Sequence, residues 1–412
     1  MREILGALLF AMVILVSVSL HEAGHMVTAK AFGMKVTRFF VGFGPTLFSF
    51  RRGETEYGVK GIPLGGFVKI VGMTAQDDDV EPGDERRAMW RFPVWKRTVV
   101  MSAGSAVHFM LAIAATWIVA MTPWGLPNPQ VPQDVTKWPA MVKVTDCVVA
   151  TPELRECQPG DPASPAATAG LREGDRIVAI NGATVATFQE LLQRTRDIKP
   201  GPAAIVYERD GQRQQATVDL AAVQRAPLGD PDGATVTTSA MGVGLIPPAP
   251  LKIQHGPVEA VGATGNFMVM LGERTFAAIK KFPEKIPALW ASLTGAERDI
   301  DTPISVVGAS RLGGEFVDKG IWEGFVQLFI GLNFFVGVFN LLPLLPLDGG
   351  HIAISWYERV RSWLAARFGR RDPGRVNYLK LMPLTYGVIL VFGAFTLLTV
   401  AADIVNPIRL FP

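Results

Sequence analysis

Four stretches of this chain stay apolar long enough to cross a bilayer: Ile4 to about Ala29, Thr98 to Met121, Phe325 to Leu345, and Pro383 to Val405. Each is near the roughly 20 residues that span a hydrocarbon core as a helix. They predict a mainly α polytopic membrane protein with four spans. The first stretch is expected to stay in the protein and not to be a cleaved leader. Arg2 is offset by Glu3, and cleavage after the serines at 17 or 19 would leave polar residues on a new terminus without apolar support.

The segments between the spans carry other patterns. In the loop at 31–97, "FFVGFGPTLFSFRRGETEYGVKGIPLGGFVKIVGM" is rich in Gly, Phe and Val, with turn signals at Arg52-Gly53 and Gly65-Gly66. It predicts short strands forming a β-hairpin region against the membrane, followed by a solvated acidic run at Asp77, Asp78 and Asp79. Residues 122–140 read as a proline-rich linker. An α+β domain follows over 141–250, with alternation at Arg176 to Ile180, a turn at Asn181-Gly182, a helical face of Phe188, Leu191 and Leu192, and a strand from Ala204 to Tyr207. Residues 251–320 predict amphipathic connecting helices, the stretch at 263–293 being a surface helix on the outer leaflet with a break at Pro283 or Pro287. Beyond them come a third span with an Asp-Gly motif (321–352), a basic loop (353–381), and a fourth span with a short tail (382–412).

Composition agrees with a membrane protein: 49% of the 412 residues are hydrophobic and 19% charged. Lys and Arg mark the sides. The loop from Lys30 to Arg97 holds 12 basic against 8 acidic residues, and Glu358 to Lys380 holds 7 against 2. The long segment from Thr122 to Gly320 holds 19 against 22. Basic loops stay in the cytoplasm, so both chain ends and the 141–250 domain are expected outside the cell membrane. The net charge of +3 is an average over the two sides and gives no basic stripe for nucleic acid. Cys147 and Cys157 fall in the outside segment, where a disulfide and two free thiols are both open readings.

Chemistry concentrates at the end of the first span. His21 and His25 are four apart and share a helical face, with Glu22 beside them. This H-E-x-x-H pattern suits Zn²⁺: two imidazoles ligate, a third protein ligand and a water complete a tetrahedron, and the carboxylate takes the water's proton. Charged and polar groups within a span are costly and mark function. Asp348, in "FNLLPLLPLDGGHIAI", is the one carboxylate between Glu323 and Glu358 and is the expected third ligand. Pro343 and Pro346 break the helix before it, and Gly349 and Gly350 permit a reversal. Asn340 is a candidate donor to a substrate carbonyl or oxyanion, with interhelical bonding as its other role. Among the remaining histidines, His255 lies outside and His351 at a helix exit; His108, within the second span, is given a supporting role.

HEAGH in one span, NLLPLLPLDGG in a later one and "AGLREGDRIVAING" between them resemble the site-2 proteases, intramembrane zinc metalloproteases, and "AGLREGDRIVAING" itself resembles a bacterial PDZ domain. The similarity covers nearly the whole chain. "MKVTRFFVGFGPTLFSFRRGETEYGVKGIPLGGF" and "VNPIRLF" look like the actinobacterial, mycobacterial-type branch that acts in regulated intramembrane proteolysis. The resemblance implies one Zn²⁺ held by His21, His25 and Asp348, Glu22 as base, Asn340 seating substrate, and hairpins over Val41 to Ile70, including Gly65 and Gly66, that pair with unwound substrate. It further implies single-span substrates of the anti-sigma factor type, already trimmed by another protease, and a peptide in the PDZ-like groove. Two departures stand out. Ala103-Gly104-Ser105-Ala106-Val107-His108 replaces the family's A-G-P-x-x-N, and the second proline before Asp348 is one place late. The competing classes are a metal-binding transporter, which lacks the internal repeats expected of it, and a catalytically inactive PDZ adaptor, which would need no Glu22.

Overall fold

The computed structural model describes residues 1–74, 80–132, 134–151, 155–228 and 234–411. The acidic run at Asp77 to Asp79 lies outside them. In chain order the elements are α1 (Arg2–Ala31), β1 (Val36–Arg52), β2 (Thr55–Ile70), α2 (Val94–Met121), β3 (Leu126–Pro127), β4 (Val142–Val144), α3 (Pro165–Thr168), β5 (Arg176–Ile180), β6 (Ala183–Thr184) and α4 (Phe188–Asp197). There follow β7 (Gly201–Arg209), β8 (Gln212–Arg225), β9 (Val236–Ala240), β10 (Val243–Leu245), β11 (Lys252–Ile253), α5 (Glu259–Leu293), α6 (Val306–Asp318), α7 (Trp322–Asn340), α8 (Asp348–Arg367) and α9 (Met382–Val405). They divide into two units, Met1–Trp124 with His255–Pro412, and Gly125–Gln254.

In the first unit, four helices are long and apolar enough to cross a membrane, Arg2–Ala31, Val94–Met121, Trp322–Asn340 and Tyr378–Val405. Helix α1 contains no proline, and its buried residues Phe10, Ser17, His21, His25 and Ala29 form one stripe. Leu5, Leu8, Met12 and Val16 are exposed, the side chains a lipid phase would cover. Small residues let neighbouring helices close on that stripe, as is usual where packing and not hydrophobic exclusion drives association. A Cβ on Gly24 would lie 2.8 Å from the carbonyl oxygen of Ala103 in α2, and one on Gly313 of α6 would lie 2.7 Å from Phe10.

The third span ends at Asn340, five residues earlier than its apolar run, because the chain turns through Leu341 to Leu347 before α8 starts at Asp348. Residues 353–381 are for the most part the helix α8 and not a loop: Trp356, Val360, Trp363 and Leu364 keep a helical apolar face amid the arginines. Helix α5 runs unbroken through Pro283 and Pro287. Tertiary packing overrides the local break there, with Phe282 against Phe395 at 4.3 Å between ring centres and Leu289 fully buried. Helix α6 packs inward through Ala309, Leu312, Gly313 and Gly314, which are buried.

The β1 and β2 strands form one long bulged antiparallel hairpin around Gly53, not several short hairpins. Gly65-Gly66 is no turn and lies within β2. The ribbon folds back on itself: Phe39 faces Val68 on one side and Tyr57 on the other, while Tyr57 also faces Phe50. Residues 66–70 therefore form an outer edge. Gly42 and Gly44 supply left-handed backbone where β1 bends (φ 89° and 79°), a conformation side chains with a Cβ resist.

The second unit is a five-stranded antiparallel sheet in the order β6-β5-β7-β8-β9, with α3 and α4. Its core includes Ile177, Leu191, Ile205 and Val218, each at most 1% exposed. Asn181-Gly182 and Asp210-Gly211 are two-residue connections between paired strands, all four residues at positive φ, as the twist of a tight hairpin demands. The expected linker at 122–140 is largely part of this unit: β3 pairs with β11, and Trp138 and Ala140 are buried. Apolar side chains between the prolines anchor it. Cys147 and Cys157 are joined as a disulfide.

Candidate metal centre

His21 and His25 sit one turn apart on the buried stripe of α1, 6% and 3% exposed. Their Nε2 atoms are 3.1 Å apart. Oδ2 of Asp348, the first residue of α8, lies 3.4 Å from Nε2 of His21 and 3.3 Å from Nε2 of His25. These three donors form a triangle of nearly equal sides. A tetrahedral zinc site with bonds of about 2.0–2.1 Å has edges of about 3.3 Å, so the donor set fits Zn²⁺. The buried Asp348 Oδ2 has no hydrogen-bond partner among the described residues, which in a dry interior is costly unless a cation completes it.

Second contacts aim the donors. The carbonyl of Val100 accepts from Nδ1 of His25 at 2.7 Å. A carbonyl only accepts, so Nδ1 carries the proton and Nε2 keeps its lone pair for a metal. Helix α2 reaches this close because of Gly104, where a Cβ would lie 2.5 Å from Nε2 of both histidines. Asp348 is delivered by a tight reversal. Gly350 packs so closely that a Cβ would lie 2.7 Å from Leu344 and Leu345 backbone atoms, and Gly349 is similarly pressed against Leu341 and Leu342. The glycines thus serve close approach, since neither is among the positive-φ glycines.

Glu22 Oε2 accepts from the backbone N–H of Val68 at 3.0 Å. That bond ties the carboxylate to the outer edge of β2. Gly66 borders the same group, as a Cβ there would lie 3.5 Å from Cγ of Glu22 and 3.0 Å from the Phe40 carbonyl oxygen. Gly65 adopts φ 130° beside Phe43.

The other candidates fall around this centre. His108 is buried, and its ring centre is 5.0 Å from that of His21. Its Nδ1 lies 2.8 Å from Asn333 Oδ1 and 3.3 Å from Ser17 Oγ, and Ser17 also donates to Asn333. Asn333 in turn donates to the Phe329 carbonyl at 2.9 Å. This knot joins α1, α2 and α7. Sequence reasoning singled out neither Ser17 nor Asn333; polar residues in otherwise apolar spans were the available signal. Asn340 ends α7, half-buried, with no side-chain hydrogen bond to a described residue. Pro343 is exposed in the following turn, and His351 stacks on Tyr378 with ring centres 5.7 Å apart.

Fold and centre together define a membrane metallopeptidase of the H-E-x-x-H type, its metal-type donors drawn from two helices. The chain belongs to Peptidase family M50, whose profile matches residues 9–376, the family of the site-2 proteases. It is similar to the zinc metalloprotease Rip1 of Mycolicibacterium smegmatis, 45% identical over 99% of both chains. It is also 43% identical over the full length to Rip1 of Mycobacterium bovis, and 42% identical to that of Mycobacterium tuberculosis, again over all of both chains.

Proposed function

We propose that this protein is a zinc metalloprotease that hydrolyses a peptide bond in or near the transmembrane helix of single-span membrane proteins. Anti-sigma factors already shortened by another protease are the substrate type. The observation that carries this reading is the Glu22 to Val68 contact, a carboxylate beside three metal-type donors and bonded to a strand edge. In this reading His21, His25 and Asp348 hold the ion. When bound, it acts as a Lewis acid that activates water and polarises the scissile carbonyl.

Glu22 takes a proton from the attacking water and passes it to the leaving amine as the carbon–nitrogen bond breaks. Asn340, its amide uncommitted, donates to the carbonyl oxygen as negative charge grows there. A helical substrate conceals its carbonyls in internal bonds, and outside water those bonds must be replaced if it unwinds. The 66–70 edge of β2 supplies replacements by strand addition, with Gly66 keeping the approach open. Exposed Leu47, Phe48, Ile62 and Leu64 support a hairpin lying against lipid.

The Lys and Arg distribution supports a cytoplasmic-side centre in the bacterial cell membrane, with both termini and the Gly125–Gln254 unit outside. The disulfide in that unit is consistent with an oxidising compartment. Strand, helix and sheet order support a PDZ-like fold, and a cavity of about 930 Å³ beside α4, lined by Val144, Val148, Leu191, Leu192 and Met241, supports a peptide groove.

The test is cleavage of a tagged single-span substrate by wild type and Glu22→Gln, with bound metal quantified in both. Retained zinc with cleavage reduced at least a hundredfold supports Glu22 as the base. Unchanged cleavage by the variant would refute the assignment.

A further inference from the structure

A second polar site lies away from the metal centre, where the start of α2 meets α8. A cavity of about 550 Å³ is lined by Arg91, Arg97, Arg359 and Arg375, against the two carboxylates of Glu358 and Asp372. Arg97 is only 7% exposed, and its buried Nε has no hydrogen-bond partner among the described residues. Its other nitrogens reach Glu358 Oε2, both at the long distance of 3.4 Å. Glu358 is shared further, accepting from Arg375 at 3.3 Å and from the Val376 N–H at 2.8 Å. Asp372 is occupied by Ser362 and the Gly374 N–H, both at 2.9 Å. The carboxylates are thus largely spent on partners; Arg91 also lies 3.4 Å from Glu85 and Arg375 is paired with Glu358, while Arg97 Nε and Arg359 have no hydrogen-bond partner among the described residues.

Helix α2 opens into the same cavity through Val94 and Trp95, and no side chain caps it. Its N-terminal amides add positive potential. The surroundings have the side chains typical of a membrane interface. Trp95 and Trp356 line the cavity and are 54% and 48% exposed, and α8 carries the exposed apolar face of Val360, Trp363 and Leu364. Exposed tryptophans and an amphipathic helix sit at headgroup level.

We infer that this cavity binds the phosphate of an anionic phospholipid headgroup, held by Arg91, Arg97, Arg359 and the start of α2. Basic pockets between membrane helices recognise such headgroups through charge and fork-shaped donors. A free phosphate ion offers the same chemistry without acyl chains. The wall tryptophans and the apolar face of α8 favour the lipid.

The test uses the full-length protein in maltoside micelles. Native mass spectrometry counts retained phosphatidylglycerol and phosphatidylcholine of identical acyl chains, each offered alone, with inorganic phosphate as a third ligand. The probe variant is Arg91→Gln with Arg359→Gln. Both side chains are exposed and neither pairs with Glu358. The expected result is one phosphatidylglycerol per chain, retained at least tenfold over phosphatidylcholine and reduced at least fivefold in the variant, with an unchanged circular dichroism spectrum. Equal retention of the two lipids, or full retention by the variant, would overturn the proposal. Inorganic phosphate binding as tightly as the lipid, and lost in the variant, would overturn the lipid assignment in favour of a soluble phosphate.

Discussion

The Nδ1–H of His25 is bonded to the Val100 carbonyl of the neighbouring helix at 2.7 Å. One turn further along that helix is Gly104, and the bond exists only because the two backbones approach without a side chain between them. Gly104→Ala would drive a methyl group into both imidazoles. Zinc content is expected to fall at least tenfold and cleavage with it, while helix content is kept. Metal analysis of the purified variant decides the matter, and full zinc occupancy would show that the helices can part without loss.

The knot of Ser17, His108 and Asn333 makes a different prediction. Removing Asn333 by Asn333→Ala leaves the His108 ring and the Ser17 hydroxyl short of a buried partner, at a cost of about 1–3 kcal/mol. Ser17→Ala spares the 2.8 Å contact between His108 and Asn333 and is expected to cost less. Thermal unfolding in detergent ranks the two variants. The reverse order would place the knot's strength elsewhere.

Substrate unwinding is tested on the substrate side. Replacing the residues around the scissile bond with leucine raises helix propensity and removes the weak points that let a strand form. Cleavage by the unmodified enzyme is expected to drop tenfold or more relative to a substrate with glycine or asparagine there. Equal rates for both would remove strand addition at the 66–70 edge from the mechanism.

Arg87 forks onto Glu54 at the tip of the hairpin with distances of 2.6 and 2.7 Å, and this holds the Glu54 carboxyl below its ordinary value. A depressed carboxyl contributes stability that is full above the unfolded glutamate value of about 4.3 and is lost as pH falls through the folded value. Both groups are partly exposed, so the effect is modest and salt-sensitive. Protection factors over 46–60, corrected for the intrinsic pH dependence of amide exchange, are expected to be steady from pH 8 to 5 and to fall below, with Arg87→Ala already low throughout. A wild-type profile matching the variant would deny the pair any anchoring role.

The centre was legible where its information is local. Spacing of four puts His21 and His25 on one face, and Asp348 stands out as an isolated carboxylate after helix-breaking prolines. Other features depend on packing between distant segments. His108 and Asn333 are 225 residues apart, and nothing in either neighbourhood pairs them. Gly104 reads as one small residue among many until the opposing imidazoles are in view. The prolines of α5 and the glycine pair in β2 misled because local propensity was outweighed, in one case by Phe282 and Leu289 packing and in the other by a continuous strand register.

The donors His25 and Asp348 stand 323 positions apart in the chain (348 − 25 = 323). An ion held between them binds a site that exists only when these distant segments are folded together, so its binding stabilises the folded chain over the unfolded one. Catalytic competence and structural durability are then one property. A molecule stripped of its ion is expected to become a quality-control target as well as an idle enzyme, so metal scarcity would lower the amount of this protease in the membrane together with its turnover.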